Sequence, residues 1–493
     1  MRAAYDAETV RAAERPLLDT LPDGTLMQRA ASALARRCAG LLGGVYGSRV
    51  VLLVGSGGNG GDALYAGARL ARRGARVDAL LVTERVLTPA LEALQAAGGR
   101  SRPAGADEDA GLLAAADLVI DGMVGIGGTG GLRTPMARLA SLTHDGGALV
   151  VAVDVPSGVD ASTGEVAGAA VAADVTVTFG ALKAGLVVSP GAGYVGRVEV
   201  VDIGLTLPAP TITLLDADDV SALLPEPTGE ADKYSRGVVG VVVGSDTYTG
   251  AAQLVVGGAL AAGAGMVRYA GAAHPAEIVR HRWPEAVVTV VEPGDSEGVF
   301  AIGRVQACVV GSGLGTSVAA GDLIESVLAA DVPVLVDADA ITWLAGHRSA
   351  LAGLAGRGAP TLLTPHAGEF ARLMGVDRAD VEAHRLDHAR RAADTLGVTV
   401  LLKGTTTVVA DPSGAVRVNS VASPYLATAG SGDTLSGICG TLLAAGLSTL
   451  DAGSVGAFLH GLAGLLASGS PAAPIVAADI AAHLPAAIRA VRG

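Results

Sequence analysis

The feature that most constrains this chain is a repeated pattern. A short unbroken run of Val, Leu and Ile is followed by a loop rich in glycine and acids, then by a stretch of helical period. In the first half the runs are Arg49–Val54, Val77–Val82, Leu118–Asp121, Ala148–Asp154, Val175–Phe179 and Val198–Val201. Helices are expected between them, at segments such as Gly61–Arg73 and Pro135–Thr143. A strand that is apolar at every position is buried on both faces, and strands separated by helices align in parallel. The pattern therefore predicts an α/β fold. A second series starts at Gly237–Gly244 and continues through Ala307–Val310, Val334–Asp337, Thr361–Leu363 and Val398–Leu402, and Thr434 to Arg492 reads as almost wholly helical. Between the two series, Leu205–Pro210 and Leu224–Gly229 are proline-rich and without clear period, which predicts a linker around 205–235. Two domains are expected, 1–210 and 225–493.

Composition narrows the function. Hydrophobic residues make up 50% and charged residues 17%, as in a folded globular chain. A formal charge of −13 argues against a nucleic-acid surface, which needs a basic face. The cysteines Cys38, Cys308 and Cys439 are isolated, and no Cys/His pair has zinc-ligand spacing. The start, MRAAYDAETVRAAERP, is charged and helical in pattern and is no signal peptide. Thr247–Val267 and Ser454–Ala478 are uncharged and long enough to span a bilayer, but they read as buried Gly/Ala-rich core helices. A cytoplasmic location with no membrane partner is expected, and the Ala/Gly-rich apolar helices suit a homo-oligomer.

The run Ala427–Gly437 (ATAGSGDTLSG) leads a glycine loop into an apolar helix. The first N–H groups of a helix lack internal partners, and with the helix dipole they attract anions. Asp433 falls in the first turn, where a carboxylate can take a proton from a hydroxyl attacking a phosphoryl group. A plain helix cap would also use Ser and Asp. Other strand ends tip the balance toward a site: Lys403-Gly404-Thr405-Thr406-Thr407, Thr364-Pro365-His366-Ala367-Gly368-Glu369, Val310–Gly315 and Val336–Ala340. Ligands of open α/β sheets bind at such ends.

In the first half, Gly55–Asp62 follows a strand and opens a helix, in the position of a phosphate cradle. Asp121-Gly122 leads to Gly125-Ile126-Gly127-Gly128-Thr129-Gly130-Gly131, and Asp154-Val155-Pro156-Ser157 follows the next strand. Asn59, Asp121 and Ser157 offer oxygen ligands to a hard cation, with K⁺, Na⁺ and Mg²⁺ equally open on spacing alone.

Residues 233–490 resemble a ribokinase-like domain. The run TPH-GE, KGTTT and ATAGSGDTLSG, with Tyr248–Ala252, resembles its ADP/ATP-dependent NAD(P)H-hydrate dehydratase branch. The resemblance implies that Lys403, Gly404, Thr405, Thr406, Thr407 and Gly432 hold the adenine nucleotide. It also implies that Ala251, Gly313, His366 and Asp433 contact the hydrated nicotinamide. GNGGD, DGMVGIG, DVPSGVD and FGALK, across roughly residues 5–205, resemble the NAD(P)H-hydrate epimerase family. That likeness implies K⁺ at Asn59, Asp121 and Ser157. It implies substrate contacts from Gly58, Asn59, Gly60, Gly61, Asp62, Gly125, Ile126, Gly127, Gly128, Thr129, Gly130, Gly131 and Asp154. Asp154 is the expected proton carrier and Asp62 the next. Where the family has a first asparagine, this chain has Gly58.

The two resemblances together imply two three-layer αβα domains, Rossmann-like then ribokinase-like. They imply epimerisation of R- and S-NAD(P)H hydrate by the first. The second would dehydrate the S form with ADP or ATP and Mg²⁺, Asp433 acting as base. A ribokinase-like sugar or vitamin kinase with an accessory N-terminal domain is the alternative, and a non-catalytic nucleotide-binding module a third reading.

Overall fold

The computed structural model describes residues 1–292, 295 and 302–493. The chain divides into two compact units, Ala3–Thr211 and Ile212–Gly493, the latter also taking Met1–Arg2.

The first unit holds a seven-stranded, all-parallel sheet. Its strands lie in the order Arg100–Pro103, Arg76–Leu81, Arg49–Val54, Leu118–Gly122, Leu149–Val153, Val175–Phe179, Arg197–Val201. Alternation of side chains along a strand explains the continuous apolar runs. Val50, Leu52 and Val54 join a core with Leu34, Leu64, Leu70 and Leu94 from helices Thr25–Leu41, Gly58–Arg72 and Thr88–Ala96. Val51 and Leu53 join a second core with Leu113 and Leu139 from helices Glu108–Ala114 and Met136–His144. The unit therefore has three layers.

Chain order reverses between Arg49–Val54 and Leu118–Gly122, since the next two strands in sequence lie on one side and Leu118–Gly122 on the other. That switch point opens a crevice beyond the carboxyl ends of the strands.

Two local expectations change. The chain start is a strand, Arg2–Tyr5, whose Ala4 and Tyr5 pair in parallel with Leu182 and Lys183. The helix begins only at Ala7, because Asp6 caps it by accepting from Thr9 N at 2.6 Å. The linker expected around 205–235 is partly structured. Ile212–Leu214 is a strand paired with Val416–Asn419, and Ala217–Leu223 is a helix with an Asp216/Asp219 capping box. Val220, Leu223 and Leu224 pack into the second unit's core, a short apolar stripe masked in sequence by the prolines around it.

The second unit orders Val287–Val290, Met266–Gly271, Val238–Val242, Ala307–Val310, Val334–Val336, Thr361–Leu363 and Thr399–Leu402 in parallel. The antiparallel Thr407–Ala410 and Val416–Asn419 follow. Val239, Val241, Leu335, Leu362 and Leu401 face helices Thr249–Ala261, Ser431–Ala444, Thr449–Ser468 and Ala477–Arg492. Thr449–Ser468 is long and apolar enough to cross a membrane, yet most of it is buried in this unit. Helices Thr249–Ala261 and Ser431–Ala444 nearly touch along their backbones. A Cβ on Gly437 would stand 2.1 Å from Val255 O, and one on Gly258 2.5 Å from Thr434 O. Only glycine permits that approach, so it fixes where the loop before Ser431 is held.

Candidate active sites

In the first unit a cavity of about 700 Å³ opens over the switch point. Strand Arg49–Val54 leads into helix Gly58–Arg72, whose first turn carries Gly58, Asn59, Gly60, Gly61 and Asp62. Gly57, at the N-cap, supplies no side-chain hydrogen bond, which leaves first-turn N–H groups available to a ligand. A Cβ on Gly60 would stand 2.2 Å from Gly55 O, so the turn needs glycine there, whereas Gly58 has open space around it.

The structure brings Asn59, Asp121 and Ser157 together. Asp121 Oδ1 accepts from Ser157 Oγ at 2.6 Å and Met123 N at 3.2 Å, and Oδ2 accepts from Ser157 N at 2.8 Å. Ser157 Oγ in turn accepts from Val124 N at 2.9 Å. Asn59 Nδ2 donates to Val153 O at 2.5 Å and sits 3.5 Å from Val124 O. The Asp121 carboxyl is fully buried with only neutral donors, and burial pushes it up. A buried carboxylate surrounded by amide, hydroxyl and carbonyl oxygens fits a hard cation, which would supply the missing positive charge.

Asp154 sits at the end of strand Leu149–Val153 with φ = 68°, a left-handed conformation that costs a non-glycine residue energy. The surroundings hold it there. Its Oδ1 accepts from Lys183 Nζ at 2.5 Å, Thr178 Oγ1 at 3.0 Å and Phe179 N at 3.0 Å. Lys183 is 1% exposed and also donates to Phe179 O at 2.7 Å. Asp62 lines the same cavity, and its buried Oδ1 has no hydrogen-bond partner. Burial, then the charges of Asp154 and Glu14, hold the Asp62 carboxyl well above the usual range.

Gly125, Ile126, Gly127 and Gly128 line the cavity. Thr129, Gly130 and Gly131 lie outside its lining, and Gly131 packs beside Ala167 and Gly168.

In the second unit a cavity of about 870 Å³ lies at the strand ends, lined among others by Asp337, His366, Lys403, Gly404, Thr405, Thr407, Gly432 and Asp433. Helix Ser431–Ala444 opens from Gly430, at φ = 83° and without a side-chain cap, so its first turn also presents free N–H groups. Asp433 lies in that turn. Burial, then the Asp337 charge, raise its carboxyl to about 6, while a Ser312 hydrogen bond opposes the shift. That value is close to a general base's working range.

Asp337 organises the floor of the cavity. It is 1% exposed and accepts from Lys403 Nζ at 2.8 Å and Ser436 Oγ at 2.7 Å. Burial alone would lower the Lys403 ammonium, but Asp337 and Glu369 together push it up, so it stays charged. His366 caps helix Ala367–Met374, its Nδ1 accepting from Gly368 N at 2.9 Å and Glu369 N at 3.3 Å. Burial, then Lys403, lower its pKa, and with Nδ1 accepting, the ring's proton sits on Nε2, 3.3 Å from Glu369 Oε1. Thr406 is buried and outside the lining. Ala251 and Gly313 are also outside it, packed on one another: a Cβ on Gly313 would stand 2.9 Å from Ala251 Cβ. Gly313 adjoins the cavity through Ser312, whose hydroxyl lies 3.5 Å from Asp337 Oδ2.

Comparison with known proteins shows the family of the chain that carries these cavities. A family model described as NAD(P)H-hydrate dehydratase matches residues 239–486, and one described as YjeF-related protein N-terminus matches 23–185. The bifunctional NAD(P)H-hydrate repair enzyme of Mycobacterium tuberculosis (strain CDC 1551 / Oshkosh) is 50% identical over 457 residues, covering 92% of this chain and 91% of that protein. Its namesake in Mycobacterium leprae (strain TN) is 46% identical across all of both chains. The chain belongs to the bifunctional NAD(P)H-hydrate repair enzyme family.

Among solved structures, the ADP/ATP-dependent NAD(P)H-hydrate dehydratase of Bacillus subtilis, co-crystallised with ATP and Mg²⁺, aligns with a TM-score of 0.50 at 27% identity. It covers 56% of this chain and 98% of that one. A ribokinase-like superfamily protein of Enterococcus faecalis aligns at 0.51 and 23% identity, covering 58% and 99%, a likeness of fold. The second unit is ribokinase-like, and the first, with its parallel sheet, is Rossmann-like.

Three residues that shape these cavities escaped the sequence reading. Lys183 stands in FGALK and Asp337 in VDADA, both visible strand-end motifs, but nothing local says that each pairs with a distant charge. Arg385 leaves no motif. It is buried, donates to Lys403 O, and its guanidinium fills the space where a Gly404 side chain would stand.

Proposed function

We propose that this chain repairs hydrated nicotinamide cofactors, the first unit exchanging R- and S-NAD(P)H hydrate and the second dehydrating the S form at the expense of a nucleotide. The observation that carries the reading is Asp433, a carboxyl raised to about 6 at an uncapped helix start beside the Asp337–Lys403 pair.

In the second unit, Asp433 takes the proton of the hydrate's C6 hydroxyl as its oxygen attacks the terminal phosphoryl group of the nucleotide. ADP is the proposed donor, leaving AMP. The phosphorylated C6 oxygen then departs as inorganic phosphate while C5 loses a proton and the C5–C6 double bond re-forms. Phosphorylation turns a poor leaving group into a good one. Lys403, Gly404, Thr405, Thr407 and Gly432 hold the nucleotide, with Thr406 buried behind them. His366 faces the substrate, and Ala251 and Gly313 back it from outside the cavity lining. Mg²⁺, when bound with the nucleotide, neutralises phosphate charge.

In the first unit the substrate's C6 is a hemiaminal carbon bonded to both oxygen and the ring nitrogen. Asp154 accepts the hydroxyl proton while Asp62 protonates the nitrogen side, so the C6–N bond opens and re-closes on either face. Asn59, Asp121 and Ser157 would hold K⁺, which supplies positive charge beside the Gly125–Gly131 loop. Free buried cysteines, Cys38, Cys308 and Cys439, suit a cytoplasmic location.

Asp433→Asn is expected to abolish NAD(P)H recovery while R/S exchange continues, and Asp154→Ala to do the reverse. Loss of both activities in either variant would argue against two separate sites.

A further inference from the structure

In the second unit three side chains that neither reaction uses converge. Asp380 lies on the short helix Arg378–Ala383, His384 in the break that follows, and His388 one turn into helix Arg385–Leu396. Asp380 Oδ1 is 2.8 Å from His384 Nδ1, and Oδ2 is 2.9 Å from His388 Nε2. His384 Nδ1 is also 3.2 Å from Asp380 O. The ligand atoms of all three residues lie within 4.8 Å of one another. His388 is 3% exposed and meets Phe370 edge-on, whereas Asp380 and His384 reach solvent.

We propose that Asp380, His384 and His388 bind one divalent ion of the zinc class. Two imidazoles four residues apart on one face, with a carboxylate, form the mixed nitrogen–oxygen set that borderline ions favour and Mg²⁺ does not. Bonds of about 2.0–2.2 Å in tetrahedral geometry would separate ligand atoms by roughly 3.4 Å. The observed 2.8 and 2.9 Å contacts, made through the two different carboxylate oxygens, open by about half an ångström, and the three ligand atoms, now within 4.8 Å of one another, settle at that spacing through rotamer adjustments at exposed Asp380 and half-buried His384. Three protein ligands leave a fourth position for water on the exposed side.

One contact must yield. Arg391 donates to His388 Nδ1 at 3.1 Å, and an ion on Nε2 leaves the ring proton on Nδ1, so the exposed Arg391 swings into solvent. Each imidazole exchanges tautomer without net loss of a proton. The ion ties helix Arg378–Ala383 to helix Arg385–Leu396. Arg385, the residue after His384, donates to Lys403 O, so occupancy braces the Lys403–Thr407 turn.

The test is titration of the full chain with Co²⁺, followed by visible absorption, and with Zn²⁺, followed by calorimetry, in the wild type, Asp380→Asn and His384→Gln. Both substitutions sit at solvent-reaching positions, and circular dichroism checks that each variant folds. The wild type is expected to bind one more equivalent than either variant, or to bind at least ~10-fold more tightly. Identical titrations in all three proteins, whether all bind or none does, overturn the site.

Discussion

Lys183 Nζ lies 2.5 Å from Asp154 Oδ1, and both residues are buried. Within the first unit this pair holds a strained residue, Asp154, at the floor of the cavity. Removing one partner strands a charge away from water, which costs about 3–5 kcal/mol. Lys183→Met is therefore expected to lower the thermal midpoint sharply and to abolish R/S exchange. The double variant Lys183→Met/Asp154→Asn should recover part of the stability and none of the exchange, as read by calorimetry and an epimer-resolved chromatographic assay.

Asp433 links activity to stability. The folded chain holds its proton up to about pH 6, whereas the unfolded chain releases it near the ordinary carboxylate value of 3.8. The native state thus binds more protons between those values, and stability falls as pH rises through that window. At neutral pH the cost is on the order of 3 kcal/mol, at 1.36 kcal/mol per pKa unit. Asp433→Asn is expected to be inactive as a dehydratase yet more heat-stable than the wild type at neutral pH, with the gap closing toward pH 4. In the wild type, kcat/KM for dehydration should rise through pH 6 as the base ionises.

Gly58 stands where the epimerase resemblance leads one to expect an asparagine, with open space around it and no positive φ. Gly58→Asn should fold normally and put an amide into the epimerase cavity. One added hydrogen bond, about 0.5–1.5 kcal/mol, predicts a KM for the hydrate a few-fold lower. An unchanged or higher KM would show that the amide finds no partner there.

Arg385 donates a charged hydrogen bond to Lys403 O, the kind whose loss costs about 1.5–3 kcal/mol. Arg385→Met is expected to raise the KM for nucleotide roughly tenfold with little change in kcat, measured at saturating hydrate. A fall in kcat with KM unmoved would place Arg385 in the chemistry rather than under the nucleotide turn.

Much of this fold was legible in the sequence. Val, Leu and Ile runs buried on both sheet faces marked Arg49–Val54 and Leu118–Gly122, and the glycine loops after them marked the crevice. Met266–Gly271, Val287–Val290 and the hairpin Thr407–Asn419 were not legible, because Arg268, Tyr269, Thr289 and Arg417 break the apolar runs. The site was legible where motif and chemistry coincide, as at Asp433 and Asp121. It was hidden where chemistry depends on a partner far along the chain, as with Lys183 for Asp154, Asp337 for Lys403 and Arg385 for the nucleotide turn. The Asp380, His384 and His388 cluster was missed although its four-residue spacing stands in the sequence; the reading that no Cys/His pair has zinc-ligand spacing passed over His384 and His388.

The most direct measurement is incubation of S-NAD(P)H hydrate with the full chain and Mg²⁺, with ADP and ATP in parallel. NAD(P)H absorbance should return with one phosphate released per turnover, and ADP should be converted to AMP. A stable phosphoester with no return of NAD(P)H absorbance would contradict dehydration and make the second unit a small-molecule kinase.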